Sequence, residues 1–245
     1  MITLRRDAVR RRLSELGDDV ARSFDPDDPK DLLTDGFGAL DILDEHRVAP
    51  GATLLFRPRD DLELVTYVVE GALNGDGLSV GPYGMPAGEF HCSMAAHGVR
   101  PPAHNASTTS SARAFQIWIR ATRLPSESGV QQKRFGTGDR RAVLRVVASP
   151  DGRDGSLRVH GDARIYSSIL FPGKHLVHEI LAGRCAWLHI VRGRATLGGE
   201  VVGAGDGAGV IDERSVSLTA SEDTELLLID VAECGWPSSS NGRHR

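Results

Sequence analysis

The segment Arg57-Pro58-Arg59-Asp60-Asp61-Leu62-Glu63 is dense in ionisable side chains. In an extended chain residues 57, 59, 61 and 63 share one face, because side chains alternate with a period of two. Arg57, Arg59, Asp61 and Glu63 would then form one strip of paired charge. A guanidinium is a planar fork that matches a carboxylate, a phosphate or an enolate oxygen, and in a shaded pocket it stabilises developing negative charge. Carboxylates and imidazoles move protons, which adds His91, His97 and His104 to Asp61 and Glu63 as acid–base candidates. The competing reading is a self-neutralised ion network that fills space. The histidines at 160, 175, 178 and 189 have no compact ligand spacing, and Cys92, Cys185 and Cys234 form no C-x-x-C pair. Neither a zinc knuckle nor a disulfide framework is expected.

The elements that would position these groups are short and β-like. The 28 glycines recur between short apolar runs, as all-β turns require. Runs at Leu64–Val69, Ala114–Ile119, Ala142–Val147, Ala186–Val191 and Glu225–Val231 are bounded by turn residues. One figure occurs twice: Leu64-Val-Thr-Tyr-Val-Val-Glu-Gly71 and Ala186-Trp-Leu-His-Ile-Val-Arg-Gly193, each followed by a second glycine step, Pro86–Phe90 and Gly203–Asp206. This is the rhythm of a cupin barrel, and its repetition predicts an all-β chain with two cupin-type jelly-roll β-barrels, a bicupin. The expected division is an N-terminal arm over 1–35, with a short helix over Asp7–Leu16, a first barrel over 36–125 and a connection over 126–140. A second barrel follows over 141–232, then a disordered tail over 233–245.

A net charge of -4 argues against a nucleic-acid surface, and the basic cluster Arg5, Arg6, Arg10, Arg11 and Arg12 reads as a local solvated segment. No apolar run approaches the ~18 residues of a membrane span. No membrane partner is expected, and the cytoplasm is the default address.

Several stretches resemble the pirin family. They are Gly36–Leu40, Val48–Gly51, Glu63–Gly71, Gln116–Ile119, Gln131–Phe135 and Ser149–Ser156 with His160, so the likeness runs from about Gly36 to Val231. In that family the first barrel holds iron or another divalent metal on three histidines and one glutamate, carried by an H-P-H element and a G-[VI]-R-H-S-E element. The corresponding segments here are Arg57-Pro-Arg59 and Gly98-Val-Arg-Pro-Pro-Ala103, which puts Arg57, Arg59, Pro101 and Ala103 at the four ligand positions. Guanidinium has no lone pair to give, and Pro and Ala supply no donor. Pro86-Ala-Gly-Glu-Phe-His91 fits a generic cupin metal string, yet matches the family better with His91 at a glutamine position.

Because the family's ligands point inward, the resemblance implies an inward strip of Arg57, Arg59, Asp61 and Glu63. These four, with His97 and His104, are the expected catalytic residues; Tyr67, Phe90, His91, Met94 and Trp118 are the expected ligand contacts. The expectation is a small organic molecule, anionic or enolisable, handled by cofactor-free lyase, isomerase or cyclase chemistry in specialised metabolism, with no metal and no other cofactor. The alternatives are a non-catalytic regulatory module with a protein partner, and a quercetin 2,3-dioxygenase-like oxygenase whose metal ligands are displaced.

Overall fold

The computed structural model describes residues 1–24, 31, 33–54, 62–75, 84–94, 103–122 and 129–232. It is nearly all strand, in two barrels that repeat one design. Each barrel pairs a seven-stranded sheet with a four-stranded one. In the first, the large sheet runs Gly129–Arg134, Glu89–Met94, Leu62–Glu70, Ala112–Arg120, Leu40–Val48, Asp18–Arg22, Arg11–Glu15. The small sheet runs Thr53–Leu54, Ala103–Asn105, Ala72–Asn74, Met85–Pro86. The expected runs at 64–69, 114–119, 186–191 and 225–231 all lie inside observed strands, whereas Ala142–Val147 gives way to a strand at Arg145–Ser149.

The two large sheets lie back to back, and the most extensive core cluster joins them. Val65, Tyr67, Phe90, Phe115 and Ile117 from the first half pack with Trp187, Val191, Leu227 and Ile229 from the second. A smaller cluster of Val48, Leu54, Val68, Leu73, Met85, Ala103, Ala112 and Ala114 fills the inside of the first barrel. Both faces of each large sheet are therefore covered, and the strands Leu62–Glu70 and Ala112–Arg120 are buried along almost their whole length.

The N-terminal segment departs from expectation. Asp7–Val9 is a single 3-10 turn, and Arg11–Glu15 pairs with Asp18–Arg22 as a hairpin instead of continuing a helix. Leu16 and Gly17, both at positive φ, make its turn. Nor is the segment a loose arm. Ile2–Arg5 pairs with Gly207–Val210 at the edge of the second barrel's sheet, while the hairpin extends the first barrel's sheet. Its arginines are paired rather than simply solvated: Arg6 with Asp206 at 3.1 Å, and Arg10, whose side chain is 1% exposed, with Glu45 at 2.8 Å.

The expected connection also contributes structure, since Gly129–Arg134 pairs with Glu89–Met94. Cys185 is disulfide-bonded, contrary to the reading of the cysteines, and Cys92 is a buried thiol outside any disulfide. No helix among the described residues is long and apolar enough to cross a membrane.

Candidate functional site

The inside of the first barrel can be read from strand alternation. On Leu40–Val48 the residues Ile42 and Val48 belong to inner clusters, so Asp44 and His46 between them point the same way; Leu43 belongs to the inter-barrel core. On Leu62–Glu70 the inner positions are Leu64, Thr66 and Val68, and on Ala112–Arg120 they are Ala112, Ala114, Gln116 and Trp118. Cross-strand register then lines up Arg22, Asp44, Gln116, Thr66 and His91 as one row across the inner face. All five are buried. Arg22 Nε and Nη2 donate to the Asp44 carboxylate at 3.1 and 3.0 Å, and Trp118 Nε1 donates to Gln116 Oε1 at 3.2 Å. The packed interior of the first barrel thus carries a continuous polar row beside its apolar cluster, which the burial of hydrophobic surface alone would not select.

Beside that row sits a buried Asp–His pair. Asp18 Oδ2 lies 2.8 Å from His46 Nδ1, with side-chain exposures of 0% and 3%. A carboxylate can only accept, so Nδ1 carries the hydrogen and a neutral ring keeps its lone pair on Nε2. Nε2 is buried and has no hydrogen-bond partner among the described residues. Across the strands His46 faces Val20 and Ala114, so no polar group competes for Nε2 in register. An oriented imidazole with a free lone pair is the arrangement of a general base.

Several expected site residues are placed elsewhere. Glu63 alternates with the inter-barrel residues Val65 and Tyr67, so it leaves the first barrel and binds the second half. Its Oε1 lies 2.7 Å from His160 Nδ1, and its Oε2 accepts from the backbone N–H groups of His160 and Gly161. The four-residue inward strip therefore does not extend to Glu63. Tyr67 and Phe90 stack at 4.1 Å between centroids in the inter-barrel core, not on a first-barrel wall. His104 is exposed, because its strand turns Ala103 and Asn105 inward. Asn105 Nδ2 is spent on the carbonyls of Val48, Ala49 and Ser110. His91 and Trp118 do face into the first barrel, and both are buried. Arg57, Arg59, Asp61 and His97 lie outside the described residues, and of Met94 only its place at the end of the strand Glu89–Met94 is described.

Of the four positions that the resemblance assigns to metal ligands, Ala103 alone is described. Its methyl packs with Leu54, Leu73 and Met85. Among the described residues no three His, Cys, Asp or Glu side chains converge in a way that could hold a metal ion. Asp18 and His46 escaped sequence reading because they lie on different strands, 28 residues apart. The only sign was a histidine inside the apolar alternation Ile42, His46, Val48.

A family model described as the quercetinase C-terminal cupin domain matches residues 146–231. Among curated relatives, a quercetin 2,3-dioxygenase of Escherichia coli (strain K12) is 35% identical over 200 residues, spanning 80% of this chain and 84% of that protein. A pirin-like protein of Caulobacter vibrioides is 30% identical over 207 residues, spanning 84% of this chain and 87% of that one. Among solved structures, the bacterial pirin YhhW from Escherichia coli, in complex with nickel(II), aligns with a TM-score of 0.84 at 32% identity. The alignment covers 95% of this chain and 99% of that one.

Proposed function

The chain belongs to the pirin family of bicupins, and from that membership we propose that its first barrel binds a small organic molecule with an anionic or enolisable group and moves a proton on it without a resident metal. The observation that carries this reading is the buried Asp18–His46 pair with its unpartnered Nε2. A C–H bond next to a carbonyl would break with its proton passing to Nε2 and its electron pair to the carbonyl oxygen. Asp18 would stabilise the imidazolium that forms. Arg57 or Arg59 would meet the enolate oxygen, and return of the proton at a second atom completes an isomerase, or with a departing group a lyase.

A divalent metal is the group the family implies, and the pirin YhhW was solved in complex with nickel(II). The residues here do not fit it. Arg57 and Arg59 would repel a cation, Pro101 has no donor, and Ala103 presents a methyl within an apolar cluster. The name quercetin 2,3-dioxygenase on a 35% identical relative favours a second reading, a metal-dependent oxygenase. That reading requires ligands from other positions.

Deuterium wash-in separates the two. Untagged protein, analysed for metals and then treated with EDTA, is incubated in D2O with acetylacetone or 2-oxobutyrate as enolisable probes. The expected result is EDTA-resistant exchange that falls at least ~100-fold in His46→Gln while circular dichroism is unchanged. Exchange that tracks metal content, or an unaltered rate in His46→Gln, would sink the proposal. Probe binding without exchange would indicate a ligand sensor.

A further inference from the structure

We infer that the seam between the two barrels is a second binding site, for a small organic anion carrying a carboxylate or a phosphomonoester. The site is a cleft of about 340 Å³ lined by the first barrel (Tyr67, Val69), by the stretch leading to the second (Arg134, Arg140) and by the second barrel itself (Arg192, Glu225). It is distinct from the first-barrel interior around His46, which lies on the other face of the large sheet.

Arg140 is the reason to assign a ligand. Its side chain is only 5% exposed. All of its hydrogen bonds leave from Nη1: to Tyr67 Oη at 2.7 Å, Ser167 Oγ at 3.0 Å and Glu225 Oε1 at 2.8 Å. Among the described residues Nε has no acceptor, and no bond leaves Nη2. Nε and Nη2 share the side-on edge of the guanidinium, the edge that takes both oxygens of a carboxylate or two oxygens of a phosphate. A buried cation with an unused edge is costly to keep, and an anion in the cleft would satisfy it.

The charge around that edge points the same way. Tyr67 donates to Glu225, and burial, then the Glu225 charge, push its hydroxyl above the usual range, so it stays protonated and adds no negative charge. Glu225 is shared between Arg140 and Arg192, and Arg192 also meets Glu70 at 3.4 Å. Arg134, exposed at the rim, makes no ion pair among the described residues. Asp223 also lines the cleft, so three arginines there meet two lining carboxylates and leave one cation in excess. Val69, Ala87 and Ile169 give it an apolar wall, which suits an organic body rather than a bare inorganic ion.

Titration calorimetry at constant ionic strength with sodium benzoate and with phenyl phosphate tests this and distinguishes the two headgroups. The expected result is saturable binding of one or both, one per chain. Arg134→Ala should weaken it at least about tenfold, and Arg140→Lys, which keeps the charge but loses the fork, should weaken it more. Arg134 is exposed, so Arg134→Ala tests the site even where an Arg140 variant folds poorly. Deuterium wash-in at the first barrel should be unchanged in Arg134→Ala, which keeps the two sites' outcomes separate. Absence of saturable binding by both probes, or wild-type affinity in Arg134→Ala, would overturn the assignment.

Discussion

Glu63 and His160 close the two halves of the chain on each other. The carboxylate is 1% exposed, holds the imidazole at 2.7 Å, and accepts the Gly161 amide at 2.9 Å. Gly161 makes the approach feasible, since a Cβ there would stand 2.5 Å from Arg120 O and from Ile119. Glu63→Ala would leave two backbone N–H groups and a ring nitrogen without their acceptor. A loss of about 3 kcal/mol in urea unfolding is expected, with a smaller loss in Glu63→Gln, which keeps one acceptor oxygen. Equal stability of all three proteins would show that the clamp contributes nothing.

Ala103 offers a direct assay of the four positions that the resemblance assigns to metal ligands. Ala103→Glu alone puts a carboxylate among Leu54, Leu73 and Met85, and should destabilise the fold by several kcal/mol on the order of an unpaired buried charge. Joined to Arg57→His, Arg59→His and Pro101→His, the same carboxylate gains a cation to bind. Nickel titration should then show one site per chain and a rise in melting temperature that the wild type lacks. A quadruple variant that stays silent to nickel would count against the alignment of these positions with the family's ligands.

The strand Gly207–Val210 should be intolerant of side chains on its inter-barrel face. A Cβ at Gly207 would fall 2.4 Å from the Trp187 ring, and one at Gly209 would fall 2.7 Å from Phe37. Trp187 in turn sits 4.8 Å from Phe24 and 5.4 Å from Phe37 between centroids, so the indole cannot swing aside freely. Gly207→Ala is expected to cost about 1–3 kcal/mol and to change the near-ultraviolet tryptophan signal. An unchanged spectrum and stability would mean that the ring has room to move.

How far the sequence led depended on how local the determining contacts are. The strands Leu62–Glu70 and Arg184–Arg192, each ending at a glycine, were legible because apolar β-branched runs and glycine turns are short-range signals. The direction of Glu63, out of the first barrel and toward the second half, was not, because its strand is buried on both faces and alternation there carries no contrast between core and solvent. The helix expected over 7–16 rested on the spacing of Ala8, Val9, Leu13 and Leu16. Partners about 30 to 200 residues away, Glu45 and Asp206 among them, hold that stretch in strands and a turn. Asp18 and His46 could not be joined without knowing that their strands are neighbours.

Acid should lower the stability of the fold, and the seam holds two of the groups responsible. Burial pushes the Glu45 carboxyl up, but Arg113 and Arg10 outweigh it and hold it at about 2. His189 lies in the seam against Phe115, at 5.2 Å between centroids. Burial first, then the nearby arginines, depress it to about 3, and neither ring nitrogen has a hydrogen-bond partner among the described residues. Both groups bind protons more readily in the unfolded chain, so both contributions have the same sign. Stability is full above the unfolded values, near 6.5 for the histidine and 4.5 for the glutamate, and is lost as pH falls toward 3 and 2. For Glu45 the loss is on the order of 3 kcal/mol. His189→Leu removes one limb of this dependence and two unsatisfied nitrogens, so it should match or exceed the wild type at pH 7 and unfold at a lower pH. Denaturant midpoints measured between pH 7 and pH 4 would show the two curves diverging below pH 6.5, and parallel curves would mean that His189 is not protonated on unfolding.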